Sequence, residues 1–580
     1  MLLLGLWACL GRAGARAADP ATEPDLVWRL APSEVAIYDV APVTVTAGKD
    51  VLGTSTVRTV FGHDLRDDGQ YRPVTARRDD LQAIFALRLP PPGIPSPAES
   101  PFRLDVQDVV SVHGKAVSMT TQPADGPAQV EATYTFASKG PPDGDDAYDV
   151  KDGMAMVSLR FDRAWRVVTS SRVRLVSTLR PQVVLPKADR PKPAESIFQW
   201  TLKEVRSPGY DGFETEVGKA IDRGVAWLKP RQEADGGFPT FQSWRLGVTA
   251  LVCLTLAECG VPREDPVLDK ALSWIAHQMV PTKTYERALA LMAFERAYTP
   301  VSEEALLKSG AIHTRVRNLT PERRAWCEKA AQALLVDVVG PGEWGYPAAP
   351  RSTLPFDSSN TQYGALGLRA ASRLGIPISE TTWVGLIRHF DLVREKKGPR
   401  ATISLLHEGV RPPAPGQTAA PSAAAEKVDE VAGFLYAPRD AHSWTSMTCA
   451  GIASLELARF ELDRTKSPKW TPPLAAQVDK EILGGWAWLD RHWGVDRHAE
   501  KPGDDWHLYA LYSLERAGVF SRVKTVNGKD WYFEGAMWLL RNQAPEGTWD
   551  ERGADKQVGT CFALLFLKRA TPPLTNEEGK

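Results

Sequence analysis

Cysteine is scarce in this chain, with six in 580 residues. Cys9 falls in an apolar N-terminal segment, leaving Cys253, Cys259, Cys327, Cys449 and Cys561 with no CxxC pair among them. An odd set of isolated cysteines, mostly within apolar stretches, excludes a disulfide framework or a metal knuckle and reads as buried free thiols. Charge imbalance is also missing: the formal net charge is −1 at pH 7. There is thus no basic stripe of the kind that binds nucleic acid. After the N-terminus, no run approaches the roughly 20 apolar residues of a membrane span, so none is expected in the mature chain. Tryptophan, by contrast, is abundant, with 19 residues, most of them after residue 199. At 24% charged and 43% hydrophobic, the composition is that of a globular chain long enough for two or more domains.

Leu2 to Leu10 form an apolar run, followed by Ala15-Arg16-Ala17 before Ala18-Asp19-Pro20. This is the h-region and small-x-small site of a signal peptide, residues 1–17, though without a basic n-region. The expected location is exported: periplasmic or extracellular, with an envelope-associated form included. From 25 to 205 the chain alternates or runs β-branched, as in Val43-Thr-Val-Thr, Phe102 to Val106, Gln129 to Phe136, Met156 to Phe161 and Ser171 to Ser177. Pro, Gly and Asp turns separate these runs at short intervals, which predicts an antiparallel, sandwich-like β domain. Pro181 to Pro193 reads as a linker.

After Gly212 the hydrophobic period becomes helical. One phrase is written twice, as Arg223-Gly224-Val-Ala-Trp227…Gln232…Gly236-Gly237-Phe238 and as Gly535-Ala-Met-Trp538…Gln543…Gly547-Thr-Trp549. Each copy ends a helix in a polar turn, and an apolar helix follows. Six such pairs are expected. The first helices lie near 214–231, 266–279, 321–337, 379–394, 476–492 and 529–542; the second lie near 243–258, 284–297, 359–374, 444–459, 506–517 and 557–570. Gly260, Gly375 and Gly518 read as helix stops. The second helices are apolar on nearly every face, so they must be buried on every face. Two concentric rings with the apolar helices inside satisfy this. A Pro/Ala-rich stretch near 395–429 reads as a disordered insertion.

These repeats resemble the QW-type repeats of squalene–hopene cyclases, other terpenoid cyclases and protein prenyltransferase β-subunits. Trp274…Gln278, Gly342-Glu-Trp344-Gly-Tyr346 and Gly433-Phe-Leu-Tyr436 also carry the likeness. Asp357-Ser-Ser-Asn360-Thr-Gln362-Tyr363 and Trp506-His-Leu-Tyr-Ala-Leu-Tyr-Ser-Leu-Glu-Arg resemble an exported bacterial branch of that group. The resemblance covers 212–572 and implies an (α/α)6 toroid, so the fold expected is multidomain, with a β-sandwich-like region followed by an all-α toroid.

If all hairpins run the same way, the starts of the second helices converge on one rim, where backbone N–H groups and dipole ends favour polar chemistry. Most acids and hydroxyls there suffice as N-caps. Asp505-Trp506-His507 and Asp357…Asn360…Gln362 offer more polar groups than a cap needs, so Asp505, His507 and Asp357 are the candidate catalytic residues. Asn360, Gln362, Tyr363, His442, Trp444, Trp506, Tyr509 and Gln557 are the candidate ligand-binding ones. Terpenoid cyclases use a DxDD acid, and here Asp143-Gly144-Asp145-Asp146 lies in a turn of the β-rich region, outside the repeats. Asp505-Trp-His507 resembles the histidine segment of the prenyltransferase zinc site. The expected Asp two residues before Cys449 is absent; three ligands could still assemble from His442, Asp505 and His507, or from Cys449 or Cys561 with His507, but spacing fixes none of these sets. No metal or cofactor is therefore assigned. The function expected is binding of an apolar or extended ligand, or of an envelope partner, in the toroid cavity. Terpenoid-cyclase-like or prenyl-transfer catalysis is the first alternative, and a secreted carbohydrate-active enzyme using Asp357 and Asp505 as its acids is the second.

Overall fold

The computed structural model describes residues 34–46, 49–53, 57–65, 71–73, 101–106, 110–122, 128–139, 150–162, 167–179, 194–300, 317–340, 342–346, 356–408, 425–501, 505–571 and 574. The expected signal peptide, the linker at 181–193 and the Asp143–Asp146 turn lie outside them.

The N-terminal part is one ten-stranded antiparallel sheet. Its longest strands are β1 (Val35–Thr46), β6 (Val110–Gln122), β7 (Ala128–Lys139), β8 (Val150–Asp162), β9 (Val167–Leu179) and β10 (Ala194–Arg206). From β10 back to β5 (Pro101–Val106) the strands pair in sequence order. Then β1 adds to the free edge of β10 and carries β3 (Val57–Leu65) and β2 (Lys49–Leu52). The expected sandwich is thus replaced, among the described residues, by a single continuous sheet. Alternation specifies that one face is buried but does not specify a second sheet to bury it. On that face Val130, Ala132, Tyr134 and Phe136 of β7 stand beside Leu159, Val157 and Ala155 of β8, and all are buried. Residues Val35 and Ile37 of β1 join the core of the helical part instead.

Twelve α-helices follow among the described residues. The odd-numbered ones are α1 (Phe213–Leu228), α3 (Pro266–His277), α5 (Pro321–Val336), α7 (Glu380–Leu392), α9 (Pro472–Arg491) and α11 (Trp531–Asn542). The even-numbered ones are α2 (Arg245–Glu258), α4 (Thr284–Ala297), α6 (Ser358–Arg373), α8 (Thr445–Arg464), α10 (His507–Phe520) and α12 (Lys556–Lys568). The even helices are buried almost throughout; every residue of α10 is buried. Each packs on the next, and α12 packs back on α2, which closes the circuit.

A recurring hydrogen-bond set explains the repeated phrase. Phe238, Trp344, Phe434 and Trp549 each donate their backbone N–H to a threonine hydroxyl on the helix that follows: Thr249, Thr361, Thr448 and Thr560, at 3.0, 3.2, 3.3 and 3.3 Å. Gln232 Nε2 bonds Gly236 O inside its own turn (3.0 Å) and Val267 O on α3 (2.7 Å). Gln543 Nε2 does the same to Gly547 O (3.1 Å) and Ala220 O on α1 (2.8 Å). That second bond ties the last hairpin to the first. Trp344 and Trp549 each donate the indole N–H to a carbonyl ten residues back, Leu334 O and Leu539 O, both at 2.8 Å.

Three expectations need correction. Gly518 lies inside α10 and is not a helix stop. A Cβ there would meet the Trp531 indole at 2.4 Å, so the glycine serves close packing. Helix α8 continues to Arg464, helped by an Arg464–Glu461 pair at 2.6 Å one turn apart. The insertion near 395–429 is ordered at both ends: β11 (Ala401–Ile403) pairs with β13 (Glu426–Val428), and β12 (Leu405–His407) pairs with β14 (Val523–Val526). Its Pro/Ala-rich centre lies outside the described residues.

Candidate functional site

The starts of all six even helices, with the loops before them, surround a cavity of about 450 Å³. Among the described residues, ten aromatic side chains line it and no Asp or Glu does. Tyr363 and Tyr509 stack with centroids 6.3 Å apart, and Tyr285 tilts against Tyr363 at 4.5 Å. Trp244 meets both Tyr285 and Tyr346 edge-on at 6.1 Å, while Tyr436 and Trp444 stack at 5.9 Å. Edge-to-face and offset rings of this kind brace one another and present both apolar faces and hydroxyl edges.

Of the residues singled out in the sequence, Tyr363, Trp444, Trp506 and Tyr509 line this cavity. Trp506 holds a left-handed backbone, φ 65°, with its N–H donated to Arg552 O at 2.8 Å. A non-glycine residue in that region stores strain, which here aims the indole inward. Gln362 lies beneath the floor, where its Oε1 accepts from Tyr509 OH (3.0 Å) and from Arg516 Nη2 (3.2 Å). Asp357 is the N-cap of α6 and sits behind the wall. It accepts from Asn360 N and Nδ2, both at 2.8 Å, and from Ser359 Oγ at 2.5 Å. Burial lifts its carboxyl above the usual Asp range against these hydrogen bonds. Gln557 reaches Pro239 O at 3.2 Å, and His442 is exposed.

Asp505 and His507 do not meet in the cavity. Asp505 is partly exposed and pairs with Arg552 at 3.1 Å. His507 is buried, its Nε2 is 2.9 Å from Val495 O, and its ring stands edge-on to Trp538 at 4.5 Å. Burial holds it down to about 4, so it is neutral at pH 7 and Nε2 carries the proton donated to that carbonyl. The cap of α10 comes from Glu551, whose carboxylate accepts from the backbone N–H of His507, Leu508 and Tyr509 at 2.9, 2.7 and 3.2 Å. Glu286 similarly takes the N–H of Gly247 on α2 at 3.2 Å.

Residues missed in the sequence are Ser446, His498, Lys501 and Phe562, all in the lining. His498 Nδ1 lies 2.7 Å from Asp505 O and its Nε2 lies 2.9 Å from Ser446 Oγ. Burial pulls it down to about 3. The neutral ring thus donates from Nδ1 and accepts the Ser446 hydroxyl proton at Nε2. Tyr346 and Tyr436 were quoted only as part of the repeats; each stands two residues after an anchoring aromatic, Trp344 and Phe434, and that shared spacing is the signal that marks them as lining residues. Among the described residues, no three His, Cys, Asp or Glu side chains gather as a metal site, and no helix is long and apolar enough to cross a membrane. Cys253, Cys327, Cys449 and Cys561 are buried free thiols, raised well above the usual range by burial.

No protein-family model matches the chain. Over 178 residues it is 26% identical to drimenyl diphosphate synthase from Streptomyces showdoensis, a match covering 30% of this chain and 30% of that protein. Two solved structures of the type II terpene cyclase MstE from Scytonema, both variants, are also similar. The complex with its substrate geranylgeranyl dihydroxybenzoate is 12% identical with a TM-score of 0.32, over 62% of this chain and 98% of that one. The complex with its product merosterolic acid A is 14% identical with a TM-score of 0.30, over 62% and 99%. The chain thus resembles drimenyl diphosphate synthase over one stretch and spans less than a third of that protein's length.

Proposed function

We propose that residues 212–572 form an (α/α)6 toroid on an exported chain, and that its central cavity binds one apolar, isoprenoid-sized molecule without the acid chemistry of a cyclase. The observation that carries this reading is the lining itself: among the described residues, ten aromatic rings around about 450 Å³ with no carboxylate. That volume is in the range of sites for drug-sized ligands, and an apolar lining with a few placed hydroxyls is their usual make-up. Each methylene buried there contributes about 0.8 kcal/mol. The closed circuit of even helices and the sequence similarity to a terpenoid synthase support the toroid. The test is a titration with farnesol followed by tryptophan fluorescence. Saturable quenching is expected, weakened at least tenfold in Trp506→Ala and Tyr363→Ala and unchanged in Asp505→Asn. No quenching, or equal affinity in all variants, would refute it and leave an envelope partner as the occupant.

One observation favours a second reading, catalysis of the terpenoid-cyclase kind. Ser359 lines the cavity and bonds the buried Asp357, whose carboxyl is raised by burial. Tyr436 is also in the lining. Were Asp357 protonated, Ser359 would link it to the cavity wall, the placement that a general acid needs. Cyclised product from a polyprenyl substrate, lost in Asp357→Asn while farnesol binding persists, would establish this reading over binding alone.

A further inference from the structure

A second, smaller cavity of about 40 Å³ lies among the C-terminal halves of the even helices, on the far side of Tyr363 and Tyr509 from the aromatic one. Its lining includes the charged side chains Arg296, Arg369, Arg373 and Arg516, with Glu258 and Glu295. The carboxylates are already engaged. Glu258 pairs with Arg296 at 2.8 Å, and Glu295 is shared between Arg373 at 3.2 Å and Arg317 at 3.4 Å. The next acid along α10, Glu515, turns to the N–H and hydroxyl of Thr571 at 2.9 and 2.6 Å. Arg516 is 0% exposed. Its Nη2 bonds Gln362 Oε1 and Ser513 Oγ, at 3.2 and 3.1 Å, and the guanidinium lies 4.0 Å from the Tyr512 ring. Its Nε and Nη1, and Nε of the 4% exposed Arg373, are buried without a hydrogen-bond partner.

A buried guanidinium with unused donors and no carboxylate of its own is costly, typically by several kcal/mol. Tyrosine faces offset part of that cost but leave the in-plane N–H groups unsatisfied. A cavity needs only about 10–15 Å³ on the same measure to hold a water, so this one has room for a monatomic ion. We propose that this second cavity is a structural halide site, in which a chloride-sized anion sits between Arg373 and Arg516 and accepts their unused N–H groups.

The probe is bromide, soaked into crystals of the full chain and located by anomalous scattering. In parallel, Tm is measured in chloride and in gluconate at equal ionic strength. A bromide peak between Arg373 and Arg516 is expected, with a saturable rise of Tm in chloride that Arg516→Met abolishes. Peaks confined to the surface, meaning an adventitious ion only, would overturn the proposal, as would equal Tm in the two salts. The bromide experiment uses the unaltered protein, so it decides even if Arg516→Met fails to fold.

Discussion

The repeated glutamine makes a graded prediction. Gln543 spans two hairpins: one amide N–H closes its own turn on Gly547 O and the other crosses to Ala220 O on α1. Gln232 makes the matching pair of bonds, to Gly236 O and Val267 O. Gln278, in the third copy, reaches only Trp274 O on its own helix, at 3.2 Å. A hydrogen bond of this kind contributes about 0.5–1.5 kcal/mol net. Gln543→Ala and Gln232→Ala should therefore each cost about 1–3 kcal/mol, and Gln278→Ala about half as much. Arg223 also contacts Gln543 Oε1, but on an exposed edge where its loss should add little. The assay is urea unfolding followed by tryptophan fluorescence, comparing midpoints at unchanged m. Equal costs at all three positions would refute the view that the cross-hairpin bond holds the circuit, as would changes below about 0.5 kcal/mol at Gln543.

Burial pushes Glu515 up to about 7 from 4.5. The folded state therefore holds this proton where the unfolded state has lost it; the resulting stability is full below about pH 4.5 and fades as pH rises through 7, by about 3 kcal/mol. Glu515→Gln should flatten that fall in a Tm-against-pH series, and an unchanged slope would contradict the assignment. Gly364→Ala should cost about 1–3 kcal/mol, because its Cβ would lie 2.4 Å from the Trp344 ring, whose N–H is fixed on Leu334 O. Gly218→Ala on α1 meets nothing within 4 Å and should instead stabilise by about 0.5–1 kcal/mol; thermal unfolding of the two variants separates packing from helix propensity.

The helices were legible because their signals are local. Asp357, Asp265, Asp530 and Asp555 cap the helices that directly follow them, and an all-round apolar pattern marked the even helices as buried. The aromatic wall was half legible: Tyr363, Trp444, Trp506 and Tyr509 sit at helix starts, whereas His498 and Lys501 lie in a loop with no periodicity. His507 and Asp505 misled for a physical reason. The α10 cap comes from Glu551, far along the chain, which leaves Asp505 free to turn outward to Arg552 and His507 to pack inward on Val495. No local pattern encodes that exchange. Arg516 was equally hidden, since a single cation at the end of an apolar run reads as an exposed helix terminus until neighbouring helices enclose it.

Native mass spectrometry of the protein recovered from its own host without refolding tests the central claim most directly. The account predicts one apolar, isoprenoid-sized molecule per chain, lost when Trp506 and Tyr509 are both replaced by alanine. A chain that emerges empty and takes up no farnesol on incubation would contradict it.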